Sequence, residues 1–170
     1  ERVRSPYRLM AIVIDLVKIP ISGTDNQLRS PPKTFFIETT LGCNLRCPEC
    51  AVGGGFIERP KGMMNFEQFK LIADKIRPYA KYVYLFIWGE PLLNPDIFKM
   101  IDYTAQFAPC SISTNGMVLT QEKAEALIPS GVRDIIFSVD GVSQEVYEKY
   151  RMGGNVDKAF RALALLSEIN

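Results

Sequence analysis

The feature that most constrains this chain is an alternation. Short apolar runs rich in β-branched and aromatic residues are each followed by a capped segment with helical periodicity. The runs Thr34–Thr40 (TFFIETT), Tyr82–Ile87 (YVYLFI), Cys110–Thr114 (CSIST) and Asp134–Val139 (DIIFSV) read as strands. After the first strand, Asn65 with Gln68 forms a capping-box pattern. The helix it opens has Phe66, Phe69, Ile72, Ile76 and Tyr79 on one face and ends by Pro78. Asn94-Pro95 opens the next helix with a cap and a first-turn proline. Thr120 caps a third, ending near Ile128; Ser143 starts a short one, and Asn155 caps the last. The near-continuous apolar run Tyr82–Ile87 predicts a strand covered on both faces. Repeated βα units imply parallel strands with right-handed crossovers, in a doubly wound sheet or part of a β/α barrel. In both architectures chemistry sits beyond the carboxyl ends of the strands.

Composition narrows the chemistry. The 170 residues contain no His, so Ser-His-Asp and Cys-His catalytic units and mixed Cys/His zinc sites are excluded. Lys and Arg number 20 against 19 Asp and Glu, a balance unlike that of a nucleic-acid-binding surface. Residues 1–33 read as an N-terminal extension and linker, and 34–170 as the core domain. Within the extension, Leu9–Ile21 is apolar but interrupted by Asp15 and Lys18. It is too short for a membrane span. It reads as a short helix packed on the body, or as an amphipathic surface anchor helped by Arg2, Arg4 and Arg8.

The four cysteines are Cys43, Cys47, Cys50 and Cys110. The first three form C-x3-C-x2-C directly after the first predicted strand. That clustering fits a disulfide scaffold poorly and a metal site in a reducing, cytoplasmic setting well. Thiolates suit iron–sulfur clusters or zinc. Three of them can each bind one iron of a [4Fe–4S] cluster, leaving the fourth iron open. The alternatives bring in Cys110, as the fourth ligand of a structural zinc site or of an electron-transfer cluster. Cys110, at the amino end of its strand, reads instead as a buried small hydrophobe.

Three further motifs end the later strands: Gly89-Glu90-Pro91, Ser113-Thr114-Asn115-Gly116, and Ser138-Val139-Asp140-Gly141 followed by Tyr150-Arg151-Met152-Gly153-Gly154. With the cysteine loop, in this order, they resemble the radical S-adenosylmethionine (radical SAM) superfamily over roughly residues 34–160. The closest likeness is to the subgroup of maturases and the molybdenum-cofactor cyclase, often with a C-terminal domain for auxiliary clusters. The resemblance implies a partial (β/α) TIM-like barrel, with about four βα units of an expected six. Chain ends at Glu1 and Asn170 fit an excised piece, the remaining strands lying beyond Asn170.

The resemblance also implies the cofactors, a [4Fe–4S] cluster on Cys43, Cys47 and Cys50 and S-adenosylmethionine (SAM) on its open iron. Reductive cleavage of SAM would release a 5′-deoxyadenosyl radical that removes hydrogen from a substrate, either a peptide or protein or a small molecule. A low-potential donor such as flavodoxin or ferredoxin would supply the electron. Gly89, Glu90 and Pro91 would serve the methionine end of SAM. Ser113, Thr114 and Asn115 would serve the ribose, and Ser138 the ribose or carboxylate side. Arg151 would pair with the SAM carboxylate. Two positions depart from the family pattern: Trp88 replaces a glycine, and Glu49 stands where an aromatic residue lies by the adenine. Trp88 is open between core packing and a SAM-site wall, and Asp140 between a turn and a substrate contact. Gly53-Gly54-Gly55 lacks a following G-K-[ST] and reads as flexible cover, not a phosphate loop. The rival functional class is a non-catalytic iron–sulfur or zinc-binding α/β module.

Overall fold

A computed structural model describes residues 31–169, so the predicted segment Leu9–Ile21 lies outside the described residues. In chain order the elements are β1 (Thr34–Phe36), β2 (Thr40–Leu41), β3 (Gly62–Met63), α1 (Phe66–Ile76) and β4 (Tyr82–Tyr84), with a 3₁₀ turn at Pro91–Leu93. Then come α2 (Ile97–Ala105), β5 (Cys110–Thr114), α3 (Gln121–Leu127), β6 (Asp134–Phe137), α4 (Gln144–Tyr150) and α5 (Val156–Ile169).

Strands β1, β4, β5 and β6 form one parallel sheet in that order. Each strand pairs with the next in sequence, with no reversal of direction across the sheet. A doubly wound sheet requires such a reversal and a barrel wall does not, so this is a barrel arc.

The two faces of the arc differ chemically. Phe35, Val83, Cys110, Ile112, Ile135 and Phe137 face the helices, which contribute Phe69, Ala73, Ile76, Ile97, Met100, Ile101, Ala124, Leu127 and Ala162 to one core. The opposite face carries Phe36 stacked on Tyr84 (ring centroids 4.4 Å apart), Ser113 and exposed Ile136. The run Tyr82–Ile87 is therefore covered on one face only: Val83 and Leu85 are buried while Tyr82, Tyr84 and Phe86 are half-buried. Its second face lines the concave side of the arc, where aromatic bodies are tolerated in partial contact with water.

Helix α1 starts as its sequence dictates. Asn65 Oδ1 accepts from Gln68 N at 2.9 Å and Gln68 Oε1 accepts from Asn65 N at 3.1 Å. Phe69, Ala73 and Ile76 are buried along one side; Tyr79 lies past the helix end and is 47% exposed. Helix α2 starts later than the Asn94-Pro95 signal, with Asp96 as its cap residue. Asn94 has a tertiary duty instead. Its Nδ2 donates to Thr39 O and Met64 O, both at 2.9 Å. That bracket holds the chain leaving β1 against the chain entering α1, beside the antiparallel β2–β3 pair.

Candidate active site

The C-x3-C-x2-C loop follows β2 and is held along its length. Arg46 N donates to Met152 O at 2.9 Å, and Asn115 Nδ2 donates to Asn44 Oδ1 at 3.0 Å. Leu45 and Cys47 are buried among Met117, Tyr147, Val156 and Ala159. Gly53 lies against the loop so closely that a Cβ there would sit 2.6 Å from Cys47 N and 2.8 Å from Cys47 O. The glycine run thus packs against the cysteine loop at Gly53, where the sequence reading expected flexible cover.

One small cleft of about 60 Å³, partly open to solvent, collects all of the predicted site residues but Pro91. Cys43, Cys47 and Cys50 line it as free thiols. So do Gly89 and Glu90 beyond β4, Ser113, Thr114 and Asn115 at the end of β5, Ser138 beyond β6, and Arg151 after α4. Ser113 Oγ and Ser138 Oγ lie 3.3 Å apart, so the ends of β5 and β6 present neighbouring hydroxyls.

Lining the cleft does not leave every side chain free. Glu90 is 1% exposed, and its carboxylate accepts from Thr114 Oγ1 at 2.8 Å, Asn115 N at 2.8 Å and Leu92 N at 3.1 Å. Thr114 Oγ1 also accepts from Gly116 N at 3.1 Å. Glu90 and Thr114 therefore spend their polar atoms on each other and on backbone, tying the end of β4 to the end of β5. Burial pushes the Glu90 carboxyl above its ordinary pKa, opposed by the donors from Asn115, Thr114 and Leu92. Pro91 is buried in the 3₁₀ turn and is not part of the cleft wall. Trp88 is neither core nor cleft wall; it is 41% exposed.

Asp140 also has a specific partner, since Arg151 Nε donates to its carboxylate. Arg151 Nη1 reaches Cys47 Sγ at 3.8 Å. Burial opposes the Arg151 charge, but the Asp140 carboxylate and the Cys47 sulfur together outweigh it and keep the guanidinium protonated. Burial raises the Cys43 thiol above its ordinary pKa. It raises Cys47 as well, where Arg151 pulls in the opposite direction.

Cys110 stands apart. It opens β5, about 10 Å along the strand from the cleft residues at the other end. It is fully buried among apolar side chains, which push its thiol up to about 12. Among the described residues, no three Cys, Asp or Glu side chains are gathered as a single metal ion would need. Three soft thiols spread around one cleft, with the fourth cysteine remote, fit a polynuclear iron–sulfur cluster held at three corners.

Fold and site together define a class: a parallel β/α arc that carries a thiol-lined cleft at the carboxyl ends of its strands. Comparison with known families narrows this further. Residues 37–170 match the Radical SAM superfamily, and the chain belongs to it. It is 30% identical over 141 residues to the AdoMet-dependent heme synthase of Methanosarcina barkeri, covering 82% of this chain and 40% of that protein. It is 34% identical over 131 residues to the mycofactocin maturase MftC of Mycobacterium tuberculosis, covering 76% of this chain and 33% of that protein. The chain thus spans well under half the length of these relatives, both of which are enzymes. The fold is similar to that of Streptococcus suis SuiB solved with S-adenosylmethionine (TM-score 0.71, 18% identity, 82% of this chain and 32% of that one). It is also similar to native anSMEcpe with bound AdoMet (TM-score 0.67, 22% identity, 81% and 41%). Among the described residues no helix is long and apolar enough to cross a membrane.

Proposed function

We propose that this chain is the cofactor-holding part of a cytoplasmic radical SAM enzyme, with the domain beginning at about residue 34. Cys43, Cys47 and Cys50 would hold a [4Fe–4S] cluster with one iron left for SAM. The observation that carries this reading is the single cleft in which three free thiols meet the ends of three successive parallel strands. A bound, reduced cluster would supply the electron for reductive cleavage of SAM, and so the radical chemistry by which hydrogen would be taken from a substrate.

The protein's own part is positioning and exclusion of water. Gly89, at φ 79°, brings backbone to the cleft wall without a side chain. The Ser113 and Ser138 hydroxyls are disposed to hold a ribose or carboxylate. Asn115 donates from Nδ2 to Asn44 and, at 3.6 Å, to Cys43 Sγ, so it orients the cysteine loop. Arg151 keeps guanidinium N–H groups beyond those engaged by Asp140 and Cys47, and these suit the SAM carboxylate. Glu90, by contrast, acts as a strut between strand ends.

The test is anaerobic reconstitution with iron and sulfide, reduction, and addition of SAM. The reading expects 5′-deoxyadenosine; an intact, SAM-ligated cluster that produces none favours a structural or electron-relay role. For the substrate, the maturase likeness supports a peptide or protein, and the heme synthase likeness supports a small molecule. Deuterium transfer from a labelled candidate into 5′-deoxyadenosine separates them. Flavodoxin or ferredoxin is the donor class to offer.

A further inference from the structure

Arg151 is shared between the cysteine loop and Asp140. Its Nε donates to the Asp140 carboxylate, while Nη1 reaches Cys47 Sγ at 3.8 Å. The guanidinium carbon lies 5.2 Å from the ring centroid of Tyr150. The Arg151 side chain is 19% exposed and that of Asp140 44%. The backbone on both sides is tied as well. Arg151 N donates to Tyr147 O at 2.8 Å, and Arg46 N, next to Cys47, donates to Met152 O at 2.9 Å. The end of α4 and the cysteine loop are therefore latched together, with Asp140 fixing the direction of the guanidinium.

A guanidinium has five N–H donors in a rigid fork and does not lose its charge. An N–H aimed at a ligating sulfur draws electron density from it and favours the state with the extra electron. The Asp140 carboxylate has the opposite electrostatic sign. Its two conceivable effects, steering the cation onto the sulfur or adding negative charge nearby, thus move a reduction potential in opposite directions.

We propose that Asp140 is a positioning residue that holds the Arg151 guanidinium on the Cys47 sulfur, and that this hydrogen bond raises the reduction potential of the iron–sulfur group the cysteines hold. The inference rests on the reading above that Cys43, Cys47 and Cys50 bind such a cluster. It gives Arg151 a duty toward the cluster that precedes any contact with SAM.

The experiment compares wild type, R151Q, R151K and D140N. Each is reconstituted anaerobically and titrated with redox mediators in the absence of SAM, with cluster absorbance and electron paramagnetic resonance as readouts. At the wild-type midpoint, the reduced-to-oxidised ratio is expected to fall about tenfold in R151Q, a one-electron shift of about 59 mV downward. R151K keeps the charge but loses the fork, and falls between the two. D140N is expected to shift downward as well, by less than R151Q. An unchanged R151Q midpoint, or an upward shift in D140N, overturns the inference. Thermal melting shows whether each variant folds; if R151Q does not, unchanged midpoints in both R151K and D140N overturn it. A wild-type protein that takes up no cluster overturns the underlying reading instead, and this is seen before any variant is made.

Discussion

Substituting Gly89 tests how the cleft is assembled. Gly89 has φ 79°, and a Cβ there would lie 2.4 Å from Thr40 O, 2.7 Å from Gly42 O and 3.1 Å from Gly42 N. All three neighbours are backbone atoms of the segment leading into Cys43, so no side chain can swing away. Glu90 N also donates to Gly42 O at 2.8 Å, so the contact is held from both ends. In G89A the left-handed backbone costs about 1–2 kcal/mol. The overlap adds about 1–3 kcal/mol, because the segment before Cys43 must move. Gly55 provides the control. It has φ 78° and nothing within 4 Å of its added Cβ, so G55A carries the backbone cost alone. For a chain of this size each kcal/mol lowers Tm by about 2–4 °C. A total of about 3 kcal/mol predicts a fall of about 6–12 °C for G89A, with G55A losing roughly a third to two thirds of that. Circular-dichroism melts of the two cluster-free variants measure the difference, and iron content after reconstitution reports whether Cys43 is displaced. Equal melting temperatures for G89A and G55A would refute the reasoning.

Other outcomes follow from the same contacts. Alanine at Cys43, Cys47 or Cys50 should abolish the iron–sulfur absorbance after reconstitution, whereas C110A should retain it, its cost confined to about 1 kcal/mol of core stability. With its thiol pushed up to about 12, Cys110 should resist iodoacetamide in the folded protein at pH 8, where about 10⁻⁴ of it is thiolate against about a tenth of an ordinary cysteine. Its raised pKa favours the folded state fully below about pH 9 and progressively less as pH rises toward 12. The loss is about 1.4 kcal/mol by pH 10, and alkaline denaturation of wild type against C110A measures it. Burial raises Cys43 and Cys47, and metal binding needs their thiolates. Cluster loading should therefore weaken as pH falls, with protons released on uptake, and a pH series of reconstitution yields checks the direction. The Tyr147 hydroxyl is buried without a hydrogen-bond partner among the described residues. Y147F should thus hold or gain up to about 1 kcal/mol in chemical denaturation, and a loss above about 2 kcal/mol would count against that burial.

Much of this protein is determined locally and can be read along the chain. The four parallel strands follow from apolar runs bounded by turn residues, and the first helix from the Asn65–Gln68 capping box. The cysteine spacing and the polar tripeptides sit at strand ends, and parallel strands bring successive ends to one side of a sheet. That rule is why residues as far apart as Cys43 and Arg151 meet in a single cleft.

What the tertiary structure alone decided is how those polar groups divide their bonds. The residue types at Glu90 and Thr114 suit a ligand and suit one another equally well; only their approach to 2.8 Å commits them to bracing the sheet. Asn94 has a cap residue's chemistry, yet Thr39 O and Met64 O, from distant parts of the chain, claim its amide. Asp140 meets Arg151 at the cysteine loop only because α4 returns that arginine there. The two-residue strands β2 and β3 carry no pattern long enough to read, since their pairing is closed by contacts more than twenty residues apart. Periodicity and capping act over a few residues and so leave a trace in the sequence. Hydrogen-bond partners across a fold are chosen by distance in space, which a linear order of residues does not contain.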